Sequence, residues 1–347
     1  MLLAPEINPP VNEFLSTTHE WFKLWFDAFG SEHSGIWRNG ISTQMGIPYQ
    51  CEVEKVGSFT IPCAIGAANS HTPRYDILGE LTQPEASLRN MMTELNVAFL
   101  SFSYVAHDSR LARAFASTKL LHHIDACESA PFVDCTGSWD EYWKSRGKSR
   151  TEWARRERRL MEDTSTRFVC LTAWDEIAPQ FHALLEIEAS GWKGQEGSAI
   201  IQSAPTLAFY TASAQAWAKV GALKLFVLYL QDTPIAFEMN VQTGDRLNCV
   251  KHGYLVQHAK QGPGQVLRIQ VLKWAFAQPD IKCFDMFGPA TDAKMKWATG
   301  VEELFTYRVF RRNLLGRWAW LRYAVAPRIK ARLKILKAKK HVTTTPS

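Results

Sequence analysis

The sequence lacks the cysteine pattern of a disulfide-stabilised or zinc-binding protein. Its seven cysteines are an odd number, and no two of them are spaced as C-x-x-C. A disulfide framework usually uses an even set of cysteines, and structural zinc sites usually bring them in closely spaced pairs. We therefore expect neither a disulfide framework nor a metal site.

The sequence also lacks a membrane-spanning segment and a recognisable targeting segment. It has no run of about 18 apolar residues, the length that a transmembrane helix needs. The first residues, MLLAPEINPPVNEF, do not show the basic-then-apolar order of a signal peptide. These features predict a cytoplasmic protein.

Acidic residues are missing from one stretch near the end of the chain. Between Arg308 and Lys340 there are 12 lysine and arginine residues and no aspartate or glutamate. The rest of the chain has 28 basic and 34 acidic residues, so the overall charge of +6 comes from this tail. From Arg328 the spacing predicts a basic amphipathic helix, which favours an anionic membrane surface for residues 308–341 at the inner face of the cell membrane. A solvated, partly disordered end is the alternative.

The composition indicates a folded core of substantial size. Hydrophobic residues make up 46% and aromatic residues 12% of the 347 positions, enough for two ordinary domains or one large one. Between Tyr49 and Cys135 short strands alternate with helices, which predicts a mixed α/β unit. The predicted strands cover residues 49–56, 59–65, 74–78, 97–102 and 130–135, and the predicted helices cover 20–29, 84–94 and 108–117.

A helical hairpin follows at residues 137–165. Ser138 and Glu141 have the spacing of a capping box, which starts the first helix. The second helix, Lys148–Glu162, carries a cluster of arginines at positions 150, 155, 156, 158 and 159. Such a cluster suits phosphates or nucleic acid, and a solvated helix face is the alternative.

A glycine turn between a strand and a helix is the most informative pattern in the second half. The predicted elements are a strand ending at Cys249–Tyr254, a turn at Gln261–Gly264, a helix after it and a strand at Ile281–Phe287. The first N–H groups of a helix lack partners within it, and together with the helix dipole they suit an anion such as a pyrophosphate. The cofactor-binding residues predicted here are Gln261, Gly262, Gly264, Gln265 and Val266.

The ordered set of motifs resembles the GNAT acyltransferase superfamily. It is most similar to the FemAB-like branch that includes the CelD/BcsL-type acetyltransferases of cellulose and polysaccharide biosynthesis. The resemblance covers residues 140–305 well and 45–135 by layout only. The residues that carry it are Ser190-Gly191-Trp192-Lys193-Gly194, Lys251 with Tyr254, Pro263-Gly264, Phe284-Asp285, and Lys294 with Trp297.

The resemblance implies two tandem GNAT-like mixed-sheet halves, the first of them degenerate. It places the N-terminal half at 1–136, the linking hairpin at 137–165, the acyltransferase domain at 166–307 and the basic tail at 308–347. The donor it implies is acetyl-CoA or another acyl-CoA, with no metal. One position departs from the family pattern, because Ala259 stands where the common loop has arginine or glutamine; Lys260 or Gln257 can substitute.

Four residues are candidates for catalysis: Glu238, Asp285, Lys251 and His252. Glu238 lies on the polar face of a predicted strand and is the first choice for a general base. Asp285 stands in an apolar strand, where an ionised carboxylate needs a partner; it either pairs with Lys251 or Lys294 or touches the acceptor. His252 can relay protons near neutral pH, with a structural role as the alternative. The resemblance also implies an acceptor pocket at Trp192, Lys193, Tyr254 and Lys294, with core packing as the alternative for Trp192.

The predicted activity is acyl transfer from a thioester to an amino or hydroxyl group of a saccharide, lipid-linked or small-molecule acceptor. FemAB-type relatives use aminoacyl-tRNA instead, and the arginines of residues 150–159 keep that alternative open. A non-catalytic module that binds lipid or nucleic acid is the alternative from a different class.

Overall fold

The computed structural model describes residues 15–30, 40–41, 46–327 and 329. The strands are β1 (Gly40–Ile41), β2 (Pro48–Val56), β3 (Phe59–Gly66), β4 (Phe99–Ala106), β5 (Leu121–Asp134), β6 (Thr166–Leu171), β7 (Leu223–Leu230), β8 (Thr233–Thr243), β9 (Arg246–Tyr254), β10 (Cys283–Asp285) and β11 (Gly300–Phe310). The helices are α1 (His19–Phe29), α2 (Pro84–Glu94), α3 (Arg110–Ala116), α4 (Trp139–Ser145), α5 (Gly147–Met161), α6 (Trp174–Ala189), α7 (Trp192–Gln195), α8 (Ala204–Lys219), α9 (Pro263–Ala277), α10 (Asp292–Met295) and α11 (Leu314–Trp320). The predicted mixed α/β class is confirmed.

The strand predicted at residues 74–78 is wrong. This segment forms no ladder, although Arg74 and Tyr75 are buried. Individual hydrogen bonds hold this segment in place instead of a strand ladder. The Tyr75 N–H donates to the carbonyl of Tyr104 at 2.9 Å, and the Asp76 carboxylate accepts from the first N–H groups of α3. Three other stretches differ from the prediction: β5 begins at Leu121, well before the predicted strand at 130–135, β10 is shorter than the predicted strand at 281–287, and β11 was not predicted.

The chain divides into two compact units that are not contiguous in sequence. One consists of residues 1–32 and 129–302, and the other of residues 33–128 and 303–347. The first helix belongs with the later residues because its aromatic side chains pack on α8. Trp21 meets Phe209 edge-to-face at 5.1 Å and stacks on Trp217 at 6.2 Å.

In the unit of residues 1–32 and 129–302, the sheet order is β5-β10-β9-β8-β7-β6. β9 and β10 are parallel, and the other neighbours are antiparallel. The parallel pairing spans only Arg246–Asn248 with Cys283–Asp285. β9 then continues to Tyr254, whereas β10 ends at Asp285, so the sheet parts at this point.

The unit of residues 33–128 and 303–347 repeats this order of pairings. Its sheet runs β1-β2-β3-β4-β11, with β3 parallel to β4 over three positions and the other neighbours antiparallel. α2 makes the connection between the parallel strands, as α9 does between β9 and β10. The shared order supports two halves of related design, and α2 starts at Gln83-Pro84 without a glycine turn.

Helices cover both faces of the sheet at β8 and β9. α9 packs on one face with an apolar surface that includes Val266, Ile269 and Leu272, and α6 packs on the other. The approach of α6 is closest at Gly253. A Cβ added there would lie 2.9 Å from the Cα of Glu188 and 3.1 Å from the ring of Phe237. Only glycine lets α6 and β9 come this close.

We therefore expect Gly253→Ala to destabilise this unit by about 1–3 kcal/mol, the usual cost of forcing a methyl group into a packed interior. Gly191→Ala is the matched control, because its added Cβ would have its nearest neighbour, the carbonyl oxygen of Glu188, at 3.8 Å. Urea unfolding of the two variants measures the difference. Equal midpoints would contradict the close approach of α6.

Candidate active site

A cleft of about 290 Å³ opens where β9 and β10 part. Its walls come from β8 and β9, the turn before α9, the first turns of α9, residues 293–297 and the middle of α5. The lining residues are Trp153, Arg156, Glu238, His252, Tyr254, Ala259, Gly262, Pro263, Gly264, Gln265, Arg268, Ala293, Lys294, Lys296 and Trp297. Arginine and lysine predominate among the charged residues, and Glu238 is the acidic one, so the cleft favours an anionic ligand.

Glu238 forms a buried ion pair with Arg268. The carboxylate is only 2% exposed, and its Oε1 accepts a bond from Arg268 Nε at 2.6 Å. The thiol of Cys249 completes the cluster, with its sulfur 3.3 Å from Arg268 Nη2 and 3.8 Å from Glu238 Oε2. Burial raises the pKa of Glu238, and the guanidinium of Arg268 opposes that shift. The pair holds one carboxylate in a fixed orientation at the cleft wall.

Strand alternation decides which predicted residues reach the cleft. Glu238 on β8 lies opposite His252 on β9, and both line the cleft. Because successive side chains of a strand point to opposite faces, Lys251 falls on the other face of the sheet. There its Nζ lies 4.8 Å from the ring centre of Tyr210. Lys251 is therefore not in the cleft, which corrects its predicted place beside the reacting groups.

The predicted glycine turn is present and begins α9. Gly262 adopts a left-handed conformation with φ of +68°, and α9 starts at Pro263. The N–H groups of Gln265 and Val266 both donate to the carbonyl of Gly262, so the helix itself uses these two donors. The side chain of Val266 is buried in the core, and the amide oxygen of Gln261 lies 2.7 Å from Nδ1 of His258.

Arg156 of α5 lies directly over this turn. Its Nη1 donates to the side-chain oxygen of Gln265 at 2.7 Å, and its Nη2 pairs with Glu152 at 2.5 Å. A Cβ added to Gly262 would lie 2.6 Å from Nη1, so the guanidinium touches the backbone of the turn. Of the predicted arginine cluster, this residue is the one that lines the cleft.

Two tryptophans form the apolar part of the cleft. The rings of Trp153 and Trp297 are stacked with centroids 3.6 Å apart and planes 3° from parallel. The carbonyl of Trp297 accepts bonds from the Tyr142 hydroxyl and Arg146 Nη1, each at 2.9 Å. α4 and α5 thus hold the segment of residues 293–297 against the cleft.

Asp285 does not reach the cleft. It is fully buried, its Oδ2 pairs with Arg246 at 3.0 Å, and its Oδ1 accepts from the N–H of Phe287 at 2.8 Å. The ion-pair partner observed for Asp285 is thus Arg246, whereas Lys251 and Lys294 were the predicted partners. Phe287 has a φ of +51°, so the carboxylate helps to hold a left-handed turn.

Two of the predicted acceptor residues line the cleft, and two cannot be placed there. Tyr254 lies against the turn, with its ring 3.1 Å from where a Cβ of Gly264 would be. Lys294 Nζ donates to the carbonyls of Phe287 at 2.8 Å and Pro289 at 3.0 Å. The backbone of Trp192 and Lys193 forms part of α7, and their side chains lie outside the described part of the structure.

Sequence reasoning missed Arg268, Trp153 and the position of Arg156. Arg268 had a signal, since it interrupts the apolar run Val266-Leu267-Arg268-Ile269 on a buried helix, where a cation needs a partner. Within residues 15–30, 40–41, 46–327 and 329, no group of three His, Cys, Asp or Glu side chains is placed to hold a metal ion. No helix in the described ranges is long and apolar enough to cross a membrane.

We expect Arg268→Met to lower the free energy of unfolding by about 3–5 kcal/mol, because it leaves the Glu238 carboxylate buried without its partner. The double variant Arg268→Met/Glu238→Gln removes both charges and should regain part of that loss. Chemical denaturation of the wild type, both single variants and the double variant gives the coupling energy. A double variant whose loss is the sum of the two single losses would contradict the pair.

The comparisons with known proteins agree with this fold. Residues 147–295 match the family model described as an acetyltransferase (GNAT) domain. No curated protein matches the sequence. The narrower similarity to CelD/BcsL-type enzymes stays a prediction.

Several solved structures share the fold at low sequence identity. One is the C-terminal domain of a putative lysylphosphatidylglycerol synthetase from Agrobacterium fabrum, with a TM-score of 0.54 and 11% identity over 86% of this chain and 93% of that one. A conserved protein of unknown function from Bacteroides thetaiotaomicron has a TM-score of 0.53 and 8% identity over 83% and 89%. FemX has a TM-score of 0.51 and 11% identity over 85% and 92%. The chain therefore has an acyltransferase-type α/β fold in which residues 147–295 are similar to the GNAT acetyltransferase domain.

Proposed function

We propose that this protein transfers an acyl group from an acyl-CoA-type thioester to an amino or hydroxyl group of an acceptor. The observation that carries the proposal is a buried carboxylate, Glu238, at the wall of a cationic cleft where two parallel strands part. The match of residues 147–295 to a GNAT acetyltransferase domain supports the same chemistry. Every lining residue of the cleft belongs to the unit of residues 1–32 and 129–302.

The reaction requires little covalent chemistry from the protein itself. The acceptor nitrogen or oxygen attacks the thioester carbonyl carbon, a new C–N or C–O bond forms, and the C–S bond breaks. A base takes the acceptor proton, and the thiolate that leaves takes up a proton. The protein contributes by aligning the two substrates, removing the proton and stabilising the developing oxyanion.

Glu238 is the proposed general base, and Arg268 is its positioning residue. The guanidinium binds Oε1 and so fixes the direction of the carboxylate. The raised pKa of Glu238 makes it a stronger base than an exposed glutamate. His252 lies opposite it in the register and is exposed at the cleft, so it is placed to relay the proton to solvent.

Cationic side chains at the cleft are the proposed site for the donor's phosphates. Arg156 and Lys296 both line it. The turn itself supplies few donors, because Gly262 accepts the bonds of Gln265 and Val266 and Pro263 has no N–H. Arg156 therefore supplies the hydrogen-bond donors that the alanine at position 259 lacks, and it does so from α5 instead of from the loop. Gly262 and Gly264 contribute shape by letting the backbone approach the ligand closely, and Gln261 stays a proposed donor-binding residue of the same turn.

The acceptor is proposed to be a saccharide, a lipid-linked molecule or a small molecule, as the CelD/BcsL-type resemblance implies. Tyr254 and Lys294 line the cleft where an acceptor would enter. Trp192 and Lys193 stay proposed acceptor residues, supported by the resemblance. A cytoplasmic location at the inner face of the membrane fits such acceptors.

Release of free thiol tests the reaction class. Purified protein is incubated with acetyl-CoA and longer acyl-CoAs together with amine, hydroxyl and saccharide acceptors, and thiol is measured over time. We expect acceptor-dependent thiol release and an increase in melting temperature with CoA. The absence of both would overturn the thioester mechanism and favour a non-catalytic binding module.

Aminoacyl transfer is the second candidate, and one surface favours it. An exposed groove along α5 is lined by Lys148, Arg150, Arg155 and Arg158, with Trp143 of α4 beside them. Cations next to an aromatic ring suit a nucleic acid such as the tRNA of an aminoacyl donor. One of the structures with this fold belongs to a putative lysylphosphatidylglycerol synthetase, whose product carries a lysyl group. Transfer from charged tRNA, without thiol release from acyl-CoA, would select this alternative.

We expect Glu238→Gln to lower kcat by about 10²–10⁴-fold, the usual contribution of a general base. The base acts only when ionised, so the wild-type kcat/KM should rise with pH through the raised pKa of Glu238, and this rise should disappear in the variant. Asp285→Asn is the control: it lies outside the cleft, so it should lower thermal stability while kcat stays near wild type. Unchanged kcat in Glu238→Gln removes this residue from the mechanism.

We expect Arg156→Met to weaken acetyl-CoA binding by about 10–100-fold, since a bond to a charged group contributes about 1.5–3 kcal/mol. Acetyl-pantetheine, a donor without phosphates, should bind the variant and the wild type equally. Arg159→Met on the exposed side of the same helix serves as the control and should leave both affinities unchanged. Isothermal titration separates these cases, and equal losses with both donors would show that Arg156 acts through the turn's structure alone.

A further inference from the structure

An apolar stripe lies exposed on α11, in the unit of residues 33–128 and 303–347. Leu314 is 88% exposed, Leu321 just after the helix is 45% exposed, and Trp318 is 39% exposed. Their spacing of i, i+4 and i+7 puts them on one side of a helix. Apolar side chains in a contiguous row at the surface mark an interaction site more often than scattered ones do.

The other side of α11 fixes the helix firmly to its unit. Gly316 and Ala319 are buried, and a Cβ added to Gly316 would lie 2.1 Å from the carbonyl of Arg311 and 2.9 Å from that of Ala98. The Asn313 side chain accepts the N–H of Gly316 at 2.8 Å and so caps the helix. The stripe is therefore held outward by tight packing behind it.

Trp318 is held with its ring partly exposed. Its Nε1 donates to the carbonyl of Val56 at 3.1 Å, and its ring meets Phe59 edge-to-face at 5.4 Å. Phe59 is itself 52% exposed, so it extends the apolar surface beyond the helix. An amphipathic ring with its polar atom satisfied and its apolar edge at the surface is typical of a membrane interface.

The charged residues of α11 and of the turn that follows it are all basic. On a helix with about 3.6 residues per turn, Arg317 and Arg322 fall on opposite sides of the line through Leu314, Trp318 and Leu321. Both are exposed, and neither has a carboxylate partner among the described residues. The sequence from Arg308 to Lys340 adds further cations and no acidic residue.

We propose that this surface, formed by Leu314, Trp318, Leu321 and Phe59 with Arg317 and Arg322 beside them, docks on an anionic lipid bilayer. Apolar side chains enter the boundary between headgroups and acyl chains, while the arginines meet the lipid phosphates. The charge pattern selects lipid over a protein partner, because a stripe of apolar side chains flanked by unpaired cations complements a negatively charged interface. The proposal does not depend on the acyl-transfer chemistry.

Vesicle flotation of the full chain tests it. We expect binding to vesicles of phosphatidylcholine with about one-third phosphatidylglycerol and little binding to pure phosphatidylcholine. Leu314→Gln/Leu321→Gln should reduce the partition coefficient about tenfold or more, and Arg317→Gln/Arg322→Gln should reduce it by a similar factor and weaken its salt dependence. Val220→Gln is the control, since Val220 is 42% exposed and belongs to the other unit.

Circular dichroism and melting temperature confirm that each variant is folded before it is compared. Equal binding by wild type and both double variants would overturn the proposal, because the basic tail beyond residue 329 would then account for all attraction. A wild type that does not bind anionic vesicles but forms a dimer, abolished by Leu314→Gln/Leu321→Gln, would overturn it too and identify a second copy as the occupant.

Discussion

The buried pair of Glu238 and Arg268 is the interaction on which the candidate site depends. It joins the middle of β8 to the second turn of α9. A short distance from the pair, the cleft opens between these two elements. Taking both charges out of water has a large cost, and such pairs often add little net stability compared with apolar residues. What the pair provides is orientation: a carboxylate that cannot turn away, in an environment that raises its pKa. That combination suits proton transfer better than it suits stability.

Alternate side chains of β9 face the cleft on one side of the sheet and packed side chains on the other. His252 and Tyr254 face the cleft, whereas Lys251 packs over Tyr210 and Gly253 admits α6. The cleft exists because β10 ends after three paired residues while β9 continues, so the space beside β9 is left to side chains from α5 and the segment before β11. The short pairing of β10 and the close approach at Gly253 are therefore parts of one arrangement: α6 packs tightly on one face of β9, and the cleft lies beside the start of α9 on the other.

Much of this site could be read from residues that are neighbours in sequence. The glycine turn and the start of α9 follow from Gly262-Pro263-Gly264, and the polar face of β8 indicates Glu238. The ion-pair and hydrogen-bond partners of the site residues could not be predicted, because they are far apart in the sequence. The separation is 30 residues for Arg268 and Glu238, 39 residues for Arg246 and Asp285, and 109 residues for Arg156 and Gln265. For Asp285 the predicted partners were Lys251 and Lys294, because an ionised carboxylate in an apolar strand needs a cation. Strand alternation places Lys251 on the opposite face, a conclusion that needs the register of β8 and β9.

The two units share an order of strand pairings but differ at the connection between their parallel strands. In one, a left-handed glycine precedes α9 and an arginine covers it; in the other, α2 begins at Gln83-Pro84 with no side-chain cap. α2 therefore starts without the left-handed glycine turn that precedes α9, so the proposed donor site is not repeated at the start of α2. The same unit carries α11, whose exposed apolar and cationic side chains form the surface proposed to dock on lipid. A surface for lipid needs no cleft, only an amphipathic helix fixed at its back by Gly316 and Ala319.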